Sequence, residues 1–212
     1  MKKILFTAFC VFLAICMINI AGCRTRVASA PGPEITPTST IYVTPTITPT
    51  SGPINLTYDF EGGLNGWVLG GDPGFTAAND VAAASVPGGT VISGNYCAAV
   101  TCNFIGTNAG GEFVVHPSPI DFSSASNITA HVYVPADIPA SYSAQVFILT
   151  MPGYGFKGQN NAALTPGAWN TIILNVSGTT NINDVDTVAV QLLKNGGVDW
   201  SGTIYVDDVT VN

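Results

Sequence analysis

Between residues 54 and 212 the chain is made of short β-branched and aromatic runs, each closed by a cluster of Gly, Pro, Asn or Asp. No segment shows the apolar spacing of an amphipathic helix. That pattern limits this part of the chain to strands joined by turns. Strands are expected near 55–61, 67–71, 81–86, 90–93, 96–104, 111–116, 128–134, 143–150, 169–176, 187–194 and 203–211. Many short strands with turns between them predict an all-β fold, a β-sandwich of jelly-roll type. The 159 residues from 54 to 212 are enough for one domain with its own core. Two segments precede it: a leader at 1–22, and 23–53, an N-terminus rich in Thr and Pro.

The leader carries Lys2 and Lys3, a mostly apolar stretch from Ile4 to Ile20, and then Ala21, Gly22 and Cys23. A short apolar stretch ending in small residues is a secretory signal rather than a membrane span. From Pro31 to Pro53 the chain holds six Pro, seven Thr and two Ser. Such a stretch cannot bury a core and favours extended, polyproline-like conformations, a spacer. Beyond residue 53 there are 12 Asp and Glu against two Lys and no Arg, a net charge of −10. A surface of that sign repels phosphate backbones, which argues against a nucleic-acid partner.

Several strands have one clean apolar face. Ile128, Ala130, Val132 and Val134 point one way and Thr129, His131 and Tyr133 the other. Val188, Val190 and Leu192 likewise oppose Ala189, Gln191 and Leu193, while Gln145 shares a face with Phe147. Aligning the core faces leaves a second face expected to hold His131, Tyr133, Gln145, Phe147 and Gln191. Rings and amides together suit sugars, whose CH faces pack on flat apolar surfaces and whose hydroxyls bond to amides. Tyr154, Phe156 and Trp200 fall in glycine-rich stretches expected to be loops, where exposed aromatics are functional candidates. Trp67 and Trp169 are expected to pack the ends of the sandwich.

Three carboxylates stand where an apolar core does not want them. Asp59 and Glu61 are two apart in the first expected strand, and Asp207 shares a predicted face with Tyr205, Val209 and Val211. With so few lysines, a Ca²⁺ bound to hard oxygen ligands is the partner that could compensate them. Cys97 and Cys102 are not expected to bond. On one continuous strand their Cα atoms lie ~16 Å apart, at ~3.3 Å per residue, and their side chains face opposite ways. Glu112 and Asp121 could be read as a carboxylate pair for glycoside hydrolysis, but no catalytic arrangement stands out, and the chain is not expected to be an enzyme.

Two resemblances sharpen this reading. Ile20-Ala21-Gly22-Cys23 resembles a bacterial lipobox, which implies cleavage before Cys23 and its diacylation. The protein would then be anchored in the bacterial cell envelope, at the outer membrane or cell surface. An ordinary signal peptide with a chance cysteine is the alternative. The order Asp59-Phe-Glu61, Gly66-Trp67, Pro119-Ile-Asp-Phe, Leu164-Thr-Pro-Gly-Ala-Trp169 and Tyr205-Val-Asp-Asp-Val209 resembles the Ca²⁺-bearing β-sandwich carbohydrate-binding modules, galactose-binding-like jelly rolls. That resemblance implies a structural Ca²⁺ on Glu61 and Asp207, with Asp59 a third candidate. It also implies a non-catalytic domain, expected to be a monomer, that binds a neutral polysaccharide of the β-glucan or mannan type. The expected contacts are His131, Tyr133, Gln145, Gln191, Tyr154, Phe156 and Trp200. The alternatives are a structural or adhesive sandwich and, on the same fold, a glycoside hydrolase or lyase.

Overall fold

The computed structural model describes residues 54–117, 119–159 and 162–212. The expected signal peptide, the Cys23 lipid site and the Thr/Pro spacer lie outside the described residues.

Among the described residues, twelve strands form two antiparallel sheets: β1 (Leu56–Tyr58), β2 (Val68–Pro73), β3 (Phe75–Ala82), β4 (Tyr96–Phe104), β5 (Gly110–Val115), β6 (Asn127–Val134), β7 (Tyr142–Thr150), β8 (Gly155–Gly158), β9 (Ala162–Ala163), β10 (Ala168–Asn175), β11 (Val185–Lys194) and β12 (Trp200–Val211). The first sheet runs β10-β6-β12-β4-β3, with β1 also paired to β12. The second runs β2-β5-β11-β7-β8, with β9 also paired to β7. Their inner faces share one apolar core. β6 contributes Ile128, Ala130, Val132 and Val134, and β11 contributes Val188, Val190 and Leu192, the residues that the alternation assigns inward. Trp67 packs edge-on to Tyr58 at 5.4 Å and against Phe113 at 5.0 Å between ring centres. Phe104 of the first sheet meets Tyr142 of the second at 5.3 Å, tying the sheets together.

The structure departs from the expected pattern at several places. β1 stops at Tyr58 because Phe60 adopts φ +58°, a conformation that interrupts a strand and turns its ring into the core. Asp59 and Glu61 therefore do not share a strand face. In β12 the pairing with β6 shifts between Asp207 and Thr210, where Asp208 has φ +47°. This bulge reverses the alternation: Ile204 and Val206 face the core before it, Val209 and Val211 after it, and Asp207 does not share their side. Residues 90–93 are not a strand, and the strand expected at 81–86 runs instead over 75–82 and ends in a 3-10 turn at 83–85, whereas 155–158 are a strand.

β4 is continuous from Tyr96 to Phe104 and bonded to β3 and β12. Cys97 and Cys102 are free, Cys102 in the main core and Cys97 beneath the opposite face. Burial pushes the Cys97 thiol up to about 12 and that of Cys102 higher still, so neither is a ready nucleophile.

Phe113 is fully buried between Trp67 and Phe60. Phe113→Ala is expected to cost about 3–5 kcal/mol in urea unfolding, the range for deleting a buried ring. Ile173→Ala, at a side chain 48% exposed, is expected to change stability by no more than about 0.5 kcal/mol.

Candidate functional site

The outer faces of the two sheets differ. Over the first sheet, residues 83–95 fold across β6, β10 and β12. Val86 and Val91 pack with Cys97, Tyr133, Trp169 and Tyr205. The indole Nε1 of Trp169 donates to the Thr90 carbonyl at 3.2 Å, and the Tyr205 hydroxyl donates to the Ser85 carbonyl at 3.0 Å. Tyr133 is therefore buried. Its expected place on a face with the glutamines is corrected, because β6 lies in the first sheet and β7 and β11 in the second. His131, also on β6, is half-buried and bonded through Nδ1 to the Thr171 hydroxyl at 3.1 Å. Burial holds its imidazole below the usual range, partly opposed by the Asp208 charge.

The covering segment is held by the terminal carboxylates. Glu61 Oε1 accepts from the backbone N–H of Asn95 and of Tyr96, each at 2.7 Å. Asp207 Oδ2 accepts from the N–H of Ile92 at 2.8 Å and of Ser93 at 3.2 Å. Asp59 does not join them, since its carboxylate closes its own turn by accepting from the Glu61 N–H and the Asn65 side chain. The expected convergence of three carboxylates is thus corrected. Among the described residues no group of three His, Cys, Asp or Glu could hold a metal ion. Of the three, Glu61 and Asp207 hold one loop, where Asp208 also accepts from the Ser93 hydroxyl at 2.9 Å. Asp207 is fully buried, and burial raises its carboxyl to about 6 although the N–H groups of Ser93, Ile92 and Asp208 pull it down.

The outer face of the second sheet carries an open trough of about 240 Å³, lined by Gly70, Glu112, Val114, Phe147, Leu149 and Phe156 with His116 and Thr187. Antiparallel register organises it into rows. Gln145, Gln191 and Glu112 stand directly opposite one another on β7, β11 and β5. One row along, Phe147, Ala189 and Val114 do the same. Like faces recur every second residue, so the polar and apolar rows lie ~7 Å apart. Phe156 on β8 leans on Phe147, ring centres 5.3 Å apart.

The polar row is one hydrogen-bonded chain. Gln145 Nε2 donates to Gln191 Oε1. Gln191 Nε2 donates to Asp72 Oδ2 at 3.0 Å and to Glu112 Oε1 at 3.2 Å. Burial, and then the Asp72 charge, push the Glu112 carboxyl above its ordinary value of 4.5. Two glycines leave room for this layout: a Cβ on Gly70 would stand 2.6 Å from the Glu112 Cβ, and one on Gly158 would stand 2.6 Å from the Phe156 ring.

Of the residues expected to bind, Phe156 lines the trough, while Gln145 and Gln191 bond to each other, both buried, in the row beside it. Tyr154 is 61% exposed in the turn before β8. Trp200 is corrected: it is not in an exposed loop but begins β12, 7% exposed, against Tyr142. Asp72, Val114 and Leu149 escaped the sequence reading, and Glu112 entered it only beside Asp121, which does not line the trough. The register that sets Glu112 opposite Gln191 has no signal in a single strand.

Because the folded Glu112 carboxyl lies above 4.5, the protonated form is favoured by folding. This contribution to stability is full below pH 4.5 and is lost as pH rises through the folded value. Glu112→Gln is therefore expected to raise the melting midpoint at pH 7 and to leave it unchanged at pH 4 or below. Equal midpoints at pH 7 would show that Glu112 bears no such cost.

A family profile described as mannanase, galactose-binding domain-like, matches residues 58–208. No curated protein sequence matches the chain. Among solved structures, carbohydrate-binding module CBM27-1 of Caldicellulosiruptor saccharolyticus, in complex with mannohexaose, superposes with TM-score 0.57 at 11% identity, covering 75% of this chain and 97% of that one. A non-crystalline-cellulose-specific module, CBM28, gives 0.53 at 15% identity, covering 73% and 91%. A structure described for the promiscuous specificity of carbohydrate-binding modules from the β-sandwich superfamily also gives 0.53 at 15%, and this chain spans 60% of its length. These likenesses establish the β-sandwich fold, and the profile covers well over half of the sequence. The chain belongs to the mannanase galactose-binding-domain-like family.

Proposed function

We propose that the domain is a non-catalytic carbohydrate-binding module that holds a neutral β-glucan- or mannan-type chain in the trough of the second sheet. The single observation that carries this is the pairing of two rows, Gln145–Gln191–Glu112 beside Phe147–Ala189–Val114. Sugar CH faces pack on the apolar row and the Phe156 ring, while hydroxyls bond to the polar row. Modules of the same fold were solved with mannohexaose or described as cellulose-specific, which supports a neutral glycan as ligand.

Two further parts of this reading rest on the sequence. Acylated Cys23 anchors the protein in the cell envelope, with the Thr/Pro stretch as spacer, since acyl chains contribute about 0.8 kcal/mol per buried methylene. A structural Ca²⁺ is taken by Glu61 and Asp207, the carboxylates that grip residues 92–96; it would compensate the buried charge of Asp207 and hold the covering segment.

In gels containing soluble mannan or mixed-linkage β-glucan, the domain is expected to be slowed by at least one of these. Phe156→Ala and Gln145→Ala should each weaken binding by about tenfold, the equivalent of ~1.4 kcal/mol. His131→Ala, on the opposite sheet, should bind as the wild type does. A wild type slowed by no glycan would favour a structural or adhesive sandwich. In the same preparation, excess Ca²⁺ is expected to raise the melting midpoint over that in EDTA, because an ion bound only to the folded state stabilises it. Identical midpoints would exclude the ion.

A further inference from the structure

The polar row beside the trough ends in two carboxylates, Glu112 lining the trough and Asp72 next to it, and among the described residues neither forms an ion pair. Gln191 donates from its amide nitrogen to Asp72 and to Glu112, and its carbonyl accepts from Gln145. Beyond Gln191, then, the side chains of the row offer only acceptors at neutral pH. The ion pairs among the described residues are His116 with Asp186 and Lys194 with Asp199, so neither carboxylate is neutralised. Space is reserved for both: a Cβ on Gly70 would overlap Glu112, and one on Gly110 would overlap the Asp72 carboxylate. The arrangement works against folding, since burial and mutual repulsion raise the Glu112 carboxyl. Two adjacent negative charges, one of them lining an open trough and the other bonded to the same amide, kept at a cost to stability, mark a site shaped by what it binds.

Resting on the carbohydrate-binding reading, we propose that Asp72 and Glu112 set the charge specificity of the trough, accepting hydroxyl hydrogens from an uncharged glycan and repelling glycans that carry carboxylates. A charge-assisted hydrogen bond from a hydroxyl to a carboxylate is shorter and stronger than one to an amide oxygen. A uronate ring in the same place would set a third carboxylate against these two, and like charges so close disfavour binding. The apolar row is indifferent to this difference, so discrimination falls to the two acids. Glu112→Gln and Asp72→Asn keep size and an oxygen acceptor for Gln191 while removing the charge, which separates charge from shape.

The experiment is titration calorimetry of the wild type, of each single variant and of the double variant at pH 7, against the neutral glycan that slows the wild type and against polygalacturonate, at low and high salt. In the double variant, affinity for the neutral glycan is expected to fall by about tenfold, the loss of roughly 1.4 kcal/mol. Measurable polygalacturonate binding is expected to appear. In the wild type, which needs no mutant to fold, high salt should raise polygalacturonate binding and leave neutral-glycan binding unchanged, because screening weakens only the charge repulsion. A double variant with the wild-type preference, or a wild type whose rejection of polygalacturonate is insensitive to salt, overturns the assignment of specificity while leaving the carbohydrate-binding reading standing. A wild type that binds no glycan overturns both.

Discussion

The register of β11 between β5 and β7 is the constraint on which the site depends. Hydrogen bonding on both edges sets Gln191 opposite Gln145 on one side and Glu112 on the other. The same register sends Val188, Val190 and Leu192 into the core. A slip by one residue would exchange the faces, turning Gln191 into the core and the valines to the outer face. Burial of those apolar side chains, at roughly 25 cal/mol per Å² of area removed from water, therefore fixes the polar row as firmly as it fixes the core. A structural requirement of the sandwich thus places three polar side chains from strands far apart in sequence within bonding distance.

The other sheet shows the opposite use of an outer face. Tyr133, Trp169 and Tyr205 would make an aromatic platform if they were bare. Residues 83–95 lie over them, with Trp169 and Tyr205 bonded to backbone carbonyls of the covering segment. Glu61 and Asp207 grip the far end of that segment through its N–H groups. Aromatic polar tips are satisfied by backbone, and backbone donors by carboxylates, so the cover leaves few polar groups unpaired. That coverage makes the two outer faces unequal, since the second sheet keeps an open trough beside its row of amides.

Within the trough the balance of forces runs against stability. Phe156, 61% exposed, lends its ring to Phe147, and Glu112 and Asp72 share one amide, with no ion pair to either among the described residues. The rest of the sandwich can offset this because Trp67, Phe60 and Phe113 interlock between the sheets and Phe104 meets Tyr142 across the core. A domain with a packed interior tolerates a locally unfavourable surface where binding calls for it.

Period-two alternation, read from the sequence by itself, determined much of this protein. It gave strands at 96–104, 128–134 and 187–194 and their inward residues. It also put Cys97 and Cys102 on opposite faces, too far apart to bond, and left Gln145 and Gln191 pointing outward. Alternation reports which side of its own strand a residue occupies, and nothing about which sheet that strand joins. Only the tertiary structure placed Tyr133 and His131 on one sheet and the glutamines on the other, and brought Asp72 and Glu112 to Gln191. Left-handed backbone at Phe60 and the bulge beside Asp208 changed which way Asp59, Glu61 and Asp207 point, because one residue out of extended conformation resets every face after it. Trp200 passed from expected loop to core for a related reason: pairing with Phe104 extends β12 to include it, and pairing is a contact between segments nearly a hundred residues apart.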